Sequence, residues 1–247
     1  MQRRSFNIWF LAVLCGASAW AVMGAQTSAH HTASRRHRIY HSLYRPATLR
    51  DRAPAVYQAR FVTTQGIFIV EVHRAWAPLG ADRFYNLVKY GYYNGNSFFR
   101  VLPGFVVQFG ISPRPALNRI WNHASIKDDP VMRTNLRGDV TFATAGPNTR
   151  TTQVFIDLAD NSRLDSQGFA PFGQVTQGMD VVDKFYSGYG EGAPEGDGPS
   201  QELLTKLGKP YLDKDFPKLD SIKMASIIRV ARPTHPATAK PSAAAHR

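Results

Sequence analysis

The sequence predicts a mainly β fold, a closed antiparallel barrel accompanied by two α-helices. Apolar runs between residues 59 and 231 are mostly short, alternate with polar residues, and are separated by turns rich in Gly, Pro, Asn and Thr. Two other segments, starting near Pro78 and Met179, carry their apolar residues at helical spacing. Many short strands combined with few helices are typical of an antiparallel barrel.

A hairpin followed by a helix is predicted at the start of the domain. Residues 59–72 contain two alternating apolar runs on either side of a polar turn that ends in Gly66, as in a β-hairpin. Pro78 then suits the first turn of a helix, and Gly91 its end. Gly80-Ala81 stands where a polar cap is usual, so this helix is expected to lose some stability.

Residues 98–110, FFRVLPGFVVQFG, predict a second hairpin whose turn contains Pro103-Gly104. Arg100 and Gln108 interrupt this apolar run. A fixed cation beside an aromatic ring and a side-chain amide is a candidate surface for binding a carbonyl group. On spacing alone, an arginine that extends from a core strand to water is equally compatible with the pattern. Residues 111–138 lack periodicity and are predicted to be irregular.

The second half of the domain is predicted to contain further strands, a short helix and a loop. The helix runs from Met179 to about Gly188, and residues 188–199, rich in Gly, Pro and Glu, form the loop. One or two extra helical turns follow, with Ser200 as the cap and Gly208 as the stop. The strands are residues 139–145, 153–158, 171–175 and 222–231.

The net charge of +12 lies mainly at the two ends of the chain. Residues 1–55 hold 8 basic and 1 acidic side chain, and residues 232–247 hold 3 basic and none acidic. Residues 56–231 are nearly neutral, with 19 basic and 17 acidic side chains. We therefore predict one domain over 56–231, in which 191–221 is an insertion of loop and short helix. A basic flexible linker over 26–55 precedes it, and a disordered basic tail over 232–247 follows it.

Residues 1–25 have the layout of a secretory signal peptide. Arg3 and Arg4 precede an apolar stretch from Ile8 to Val22, and small residues follow. At about 1.5 Å per residue, a helix of this stretch is roughly 22 Å long, shorter than a bilayer core of about 30 Å. Cleavage and release into the periplasm or the extracellular space are expected rather than a permanent signal anchor. The paired arginines also partly match a twin-arginine signal, so both export routes stay open.

Neither a cofactor nor a metal is expected. Cys15, the single cysteine, lies inside the apolar stretch, so the mature chain would have no thiolate ligand and no disulfide. The four histidines between residues 30 and 41 have no acidic or cysteine partner nearby and are a weak metal motif.

Three segments resemble, in the same order, segments of the cyclophilins, a family of peptidyl-prolyl cis-trans isomerases. They are residues 98–110, residues 142–157 (FATAGPNTRTTQVFID), and Leu164-Asp165 with Phe172-Gly173. The resemblance covers about residues 57–231. Together with the signal peptide, the loop around Leu164 resembles that of exported bacterial cyclophilins. It implies an eight-stranded barrel capped by one helix at each end. It also implies an enzyme without a cofactor that catalyses rotation about X-Pro peptide bonds.

The resemblance further implies the parts of the active site. Arg100 is implied as the catalytic residue, which weakens the amide resonance of the prolyl bond. From composition alone, by contrast, Phe105 and Phe155 would be assigned to the barrel core. The residues implied to bind substrate form a proline pocket (Phe105, Val106, Phe155, Leu164 and Phe169), hydrogen-bond the peptide (Gln108 and Gln153), or pair with its backbone (Ala143, Thr144 and Ala145).

Several residues depart from the family pattern. Val106 replaces a common Met, and Thr144 replaces a common Asn. Arg163 stands where cyclosporin-sensitive members carry Trp, and Phe99 and Phe169 stand where His is common. These differences change the expected affinity for cyclosporin more than the expected catalysis.

Three functions are weighed. The first is an exported, monomeric isomerase whose partners are proline-containing peptides and unfolded or newly exported proteins, with no nucleic acid and no stable membrane insertion after signal cleavage. The second is a peptide-binding module or chaperone with little turnover. It is disfavoured by the joint retention of five residues, namely Arg100, Phe105, Gln108, Gln153 and Phe155. The third is a polyanion-binding protein that acts through its basic ends. We predict the first.

Overall fold

The computed structural model describes residues 42–230 of the chain. The predicted signal peptide, the first part of the predicted linker, and the predicted tail over 232–247 lie outside the described residues. Within residues 42–230 the strands are β1 (Val56–Thr63), β2 (Ile67–His73), β3 (Arg100–Leu102), β4 (Val106–Phe109), β5 (Asp139–Phe142), β6 (Val154–Asp157), β7 (Pro171–Gln177) and β8 (Ile222–Val230).

These strands form one antiparallel sheet. In the described part of the chain it has eight strands in the order β3-β4-β6-β5-β7-β2-β1-β8. The prediction of a mainly β, eight-stranded antiparallel fold is therefore confirmed. Both predicted hairpins form, since β1 pairs with β2 and β3 pairs with β4.

The barrel is less closed than predicted, because the strands at the two ends of the sheet, β3 and β8, do not pair as a ladder. The sheet curls into a half-barrel, and the segment just before β3 meets the start of β8. There the Phe98 N–H donates to the Asp220 carbonyl at 3.0 Å, and the Ile222 N–H donates to the Asn96 carbonyl at 2.8 Å. A few backbone hydrogen bonds thus hold the two ends of the sheet together.

Alternation along the strands decides which side chains enter the main core. β1 and β2 bury every second residue, and Phe61 on β1 stacks on Phe68 of β2 with ring centroids 4.8 Å apart. Phe109 from β4 meets Phe61 edge-on at 5.9 Å. Because successive side chains point to opposite faces of a strand, the outer face stays available for a site.

The first helix, α1 (Pro78–Lys89), has its N-terminus capped from a distant loop. Its N-cap is Ala77, which offers no side-chain oxygen. The buried carboxylate of Asp129 instead accepts from the backbone N–H of Leu79 at 2.9 Å and of Gly80 at 2.8 Å. The expected loss of stability from a missing cap is therefore offset, since Asp129 satisfies two N–H groups that lack an intrahelical partner.

The other helices are short. The second predicted helix begins at Met179 as α3 (Met179–Val182), but the prediction that it reaches Gly188 is wrong. After Val182 the chain continues in turns, in which the N–H of Lys184 donates to the Val181 carbonyl at 3.2 Å. The predicted extra turns form as α4 (Gln201–Leu207), with the Ser200 hydroxyl accepting from the Leu203 N–H. Two helices were missed, α2 (Pro115–Trp121) and α5 (Lys209–Asp215). The prediction that 111–138 is irregular is therefore wrong for its α2 part. No helix within residues 42–230 is both long and apolar enough to span a membrane.

Helices α4 and α5 build a small second core beside the sheet. Leu204 and Leu212 pack on Phe99 and Ile111, and all four are buried. Phe99 is therefore part of this second core. The insertion over residues 191–221 is thus packed against the segments that flank β3 and β4.

Residues 42–55, assigned above to the flexible linker, are packed onto the domain. Leu43 is fully buried, and its carbonyl accepts from the indole N–H of Trp121 at 2.9 Å. Asp51 exchanges hydrogen bonds with the side chain of Asn86 in α1. The predicted linker over 26–55 is therefore too long at its C-terminal end.

Deletion of residues 1–55 is expected to lower the free energy of unfolding by at least about 3 kcal/mol, because the buried Leu43 side chain and the partner of the Trp121 N–H are lost. Deletion of residues 1–41 is the matched control and should leave these contacts in place. Urea unfolding of the two truncations measures the difference. Equal stability of the two would show that residues 42–55 contribute no packing energy.

Candidate active site

Strands β3, β4 and β6 place three of the predicted site residues in one row across the sheet. Arg100 on β3 pairs with Gln108 on β4, and Gln108 pairs in turn with Phe155 on β6. Their neighbours Val107 and Ile156 point the other way and pack in the main core. Directly paired residues lie side by side on one face, so this row forms on the outer face of the sheet.

Phe155, at one end of this row, belongs to an apolar cluster that is separate from the main core. The barrel core, the location that composition alone suggests for Phe105 and Phe155, is therefore wrong, and both lie in this separate cluster as the resemblance implies. The rings of Phe155 and Phe169 meet edge-on, with centroids 5.6 Å apart. We call this cluster the apolar pocket; its members are Val106, Phe155 and Leu164, which are buried, and Phe105, Ala143 and Phe169, which are partly buried.

A chain of polar side chains crosses the open side of the apolar pocket. The guanidinium of Arg100 donates through Nη1 to Oε1 of Gln108 at 3.3 Å, and Nε2 of Gln108 donates to Oε1 of Gln153 at 2.9 Å. The other edge of the Arg100 guanidinium donates through Nε and Nη2 to the two carboxylate oxygens of Glu191, both at 2.6 Å. Glu191 belongs to the loop over 188–199 and is not among the residues predicted for the site.

The segment after β5 runs along the apolar pocket with part of its backbone unpaired. The N–H of Ala143 donates to the carbonyl of Gln153 at 3.0 Å, and the N–H of Ala145 donates to the hydroxyl of Thr149 at 2.9 Å. Within residues 42–230, neither the N–H nor the carbonyl of Thr144 between them has a hydrogen-bond partner. An extended peptide can therefore pair with Thr144 as with the edge of a sheet.

A short 3-10 helix, Ser162–Gln167, and Phe169 just after it form one wall of the apolar pocket. It buries Leu164 and ends at Gly168, whose φ of +85° turns the chain back so that Phe169 reaches the same pocket. Arg163 points outward, and its guanidinium carbon lies 4.6 Å from the centroid of the Phe105 ring. Arg163 thus places a cation on the rim of the apolar pocket.

All eleven residues predicted for the site line one cavity of about 600 Å³. The structure therefore brings together Arg100 and every predicted substrate-binding residue. The cavity wall also includes residues that the sequence analysis did not name, namely Asn122, Thr149, Thr151, Gln167 and Gln201. Thr149 and Thr151 lie within the segment 142–157, so they could have been predicted from that motif. Gln201 lies in the insertion, for which no local signal exists.

A buried carboxyl lies next to the apolar pocket, on the strand β6. Asp157, paired with Val106 across β4 and β6, is fully buried. Desolvation raises its pKa to about 7, although the Asn161 amide donates to Oδ1 at 2.6 Å and favours the ionised form; the charges of Asp139 and Asp165 raise the pKa further. Asn161 also donates to the Phe105 carbonyl at 2.9 Å, so Asp157 is linked to the pocket.

The titration of Asp157 is expected to make the domain less stable as the pH rises. Its pKa is about 7 in the folded chain against an ordinary 3.8, so the folded state binds more protons between these values. Stability is then lost from about pH 4 up to about pH 7, by at most about 4 kcal/mol. Urea unfolding at pH 5 and pH 8 should show a smaller loss for Asp157→Asn than for the unchanged chain. An identical loss in both would contradict this assignment.

The cavity offers binding groups rather than a nucleophile with a base. Within residues 42–230 no group of three or more His, Cys, Asp or Glu side chains could hold a metal ion. What the cavity presents is an apolar pocket, side-chain amides, an unpaired stretch of backbone, and a guanidinium 5.4 Å from the Phe105 ring centroid. This arrangement can hold a peptide with an apolar side chain and place a cation beside its backbone.

Comparisons with known proteins agree with the motifs. A family model described as cyclophilin type peptidyl-prolyl cis-trans isomerase/CLD matches residues 59–203. A peptidyl-prolyl cis-trans isomerase of Acinetobacter baylyi is 37% identical over 132 residues, covering 49% of this chain and 68% of that protein. The peptidyl-prolyl cis-trans isomerase A of Dickeya dadantii is 36% identical over 135 residues, covering 53% and 69%.

A solved structure agrees with the fold. The crystal structure of a cyclophilin type peptidyl-prolyl cis-trans isomerase from Cryptosporidium parvum aligns with a TM-score of 0.53 and 20% identity, over 70% of this chain and 98% of that chain. At this identity the likeness concerns the fold alone.

Proposed function

This chain belongs to the cyclophilin-type peptidyl-prolyl cis-trans isomerase family, and from that premise we propose that Arg100 is its catalytic residue. The chain is accordingly an isomerase of X-Pro peptide bonds that binds proline-containing peptides. The observation that supports Arg100 is its position. Its guanidinium lines the same cavity as the apolar pocket and is hydrogen-bonded to Gln108, so a proline ring in the pocket would lie beside it.

The reaction explains why a guanidinium is sufficient. Rotation about the prolyl bond is opposed by amide resonance, with a barrier of about 18–20 kcal/mol, and no bond is broken. A donor placed near the prolyl nitrogen favours a localised lone pair and so weakens that resonance. Arginine stays charged and its planar group is preorganised. Arg100 uses three of its N–H groups on Glu191 and Gln108, which leaves two of the five for the substrate.

The other residues of the site would hold the peptide still. The proline ring would occupy the apolar pocket between Phe105, Phe155 and Leu164. The peptide backbone would pair with Thr144, and the amide of Gln153, whose Nε2 has no partner within residues 42–230, would donate to a carbonyl. Removing the peptide from water favours rotation, because the planar amide loses hydrogen bonds that stabilise it.

A protease-free assay of proline isomerisation on a short peptide tests this function. Accelerated exchange with saturation by the peptide is the expected result. Peptide binding without acceleration would favour the second function above, a binding module or chaperone with little turnover. Binding to a polyanion that disappears when residues 1–41 and 232–247 are removed would instead favour the third.

The biological setting we propose is the periplasm or the extracellular space, where the enzyme would act as a monomer on unfolded or newly exported proteins. The support is the charge and apolar pattern of residues 1–25, which matches a cleaved signal peptide. Cell fractionation followed by mass determination of the mature chain tests this. A variant carrying Arg3→Lys and Arg4→Lys separates the export routes, because the twin-arginine route requires the arginine pair. Retention of the full-length chain in the cytoplasm would contradict the proposal.

A further inference from the structure

The carboxylate of Glu191 accepts two hydrogen bonds from the catalytic guanidinium and lies outside the substrate cavity. Its two oxygens accept from Nε and Nη2 of Arg100, each at 2.6 Å, in a side-on bidentate pair. Arg100 lines the cavity, whereas Glu191 is absent from its wall. The carboxylate therefore occupies one edge of the guanidinium without occupying the space of the substrate.

The loop that carries Glu191 is built to hold it in place. The N–H of Gly192 donates to Oε1 of Glu191 at 2.9 Å, and the N–H of Gly198 donates to the Glu191 carbonyl at 2.8 Å. A Cβ atom added at Gly196 or Gly198 would come within 2.5 or 2.6 Å of that same carbonyl oxygen. Only glycine permits these close approaches, so the conformation that presents Glu191 depends on the glycines of the loop.

We propose that Glu191 is a positioning residue for Arg100, an inference that rests on the catalytic function proposed above. An arginine side chain has many rotamers, and holding one of them costs conformational entropy. Two charge-assisted hydrogen bonds to a carboxylate fix both the position and the plane of a guanidinium. The bond to Gln108 fixes its third nitrogen, so the remaining N–H groups of Arg100 face the cavity in one orientation before the peptide arrives.

This arrangement predicts which kinetic constant Glu191 controls. The substrate is held by the apolar pocket and by Thr144, which Glu191 does not contact, so KM should change little when Glu191 is replaced. The orientation of Arg100 affects mainly the transition state, in which the amide is twisted. Replacing Glu191 should therefore lower kcat. A carboxylate that blocked the site would have the opposite effect, because its removal would release Arg100 and raise kcat/KM.

The test compares Glu191→Ala with Glu195→Ala, which removes an exposed carboxylate from the same loop. Glu191→Ala is expected to lower kcat about tenfold, since hydrogen bonds between charged groups contribute most when preorganised. Glu195→Ala should leave kcat unchanged. Glu191→Gln, which keeps one acceptor oxygen, should recover part of the loss. Circular dichroism and thermal unfolding check that the variants remain folded.

A double-mutant cycle separates this inference from the proposed function. In the Arg100→Ala background, Glu191→Ala should have no further effect on kcat, because the group it positions is gone. If Arg100→Ala itself left kcat unchanged, the catalytic function of Arg100 would fail. If Arg100→Ala lowered kcat but Glu191→Ala matched Glu195→Ala, raised kcat, or acted equally in both backgrounds, the positioning function of Glu191 would be overturned.

Discussion

Replacing Arg100 with alanine is expected to lower kcat/KM by about 10²–10³-fold, because one preorganised donor contributes about 2.7–4 kcal/mol to transition-state stabilisation. The loss should fall mainly on kcat. The apolar pocket that would bind the proline ring contains no atom of Arg100, so ground-state binding should persist. Isomerisation of a short proline peptide, followed by line-shape or exchange NMR without a coupled protease, measures both constants.

The fold of the Arg100→Ala variant should survive. The side chain of Arg100 lies outside the main core, and its partner Glu191 is 32% exposed and can be hydrated when unpaired. Arg163→Ala is the matched control, since it removes a second guanidinium that stacks on Phe105 but does not line the cavity. Unchanged turnover in a folded Arg100→Ala variant, or an equal loss in Arg163→Ala, would contradict the assignment of Arg100.

Replacing Gly110 with alanine is expected to destabilise the domain by about 3–5 kcal/mol, through backbone strain combined with overpacking. Gly110 follows β4 and has a φ of +116°, which disfavours any residue with a Cβ. The added Cβ would come within 2.4 Å of the Thr152 carbonyl oxygen and 2.6 Å of the Gln153 Cα. Because both contacts are backbone, the segment at residues 152–153, just before β6, would have to move.

Gly146→Ala provides the control for the backbone strain alone. Gly146 has a φ of +137°, but a Cβ there meets no atom within 4 Å. Its substitution should therefore cost only about 1–3 kcal/mol. Urea unfolding of both variants measures the difference that is due to the close approach. If the two variants were equally stable, the contact between Gly110 and residues 152–153 would not be as tight as the structure has it.

Much of the candidate site could be predicted from sequence because its parts are local. Arg100 and Gln108 lie in one hairpin, so the turn at Pro103-Gly104 determines their register. The segment 142–157 is continuous, which is why Thr144 and Gln153 reach the cavity together. The separation of Phe105 and Phe155 from the main core, by contrast, could not be predicted from composition. Composition placed them in the core, and only the motif order, followed by the packing, placed them in the apolar pocket.

The chain by itself determined the strands, both hairpins, the helix start at Pro78 and the Ser200 cap, because each depends on residues close together in sequence. Only the tertiary structure decided the partners that come from afar. Asp129 caps α1 from 50 residues away, and Glu191 reaches Arg100 across 91 residues. A single charged side chain in a loop carries no periodic pattern, and its partner is selected only when the folded sheet brings that loop next to a distant strand or helix.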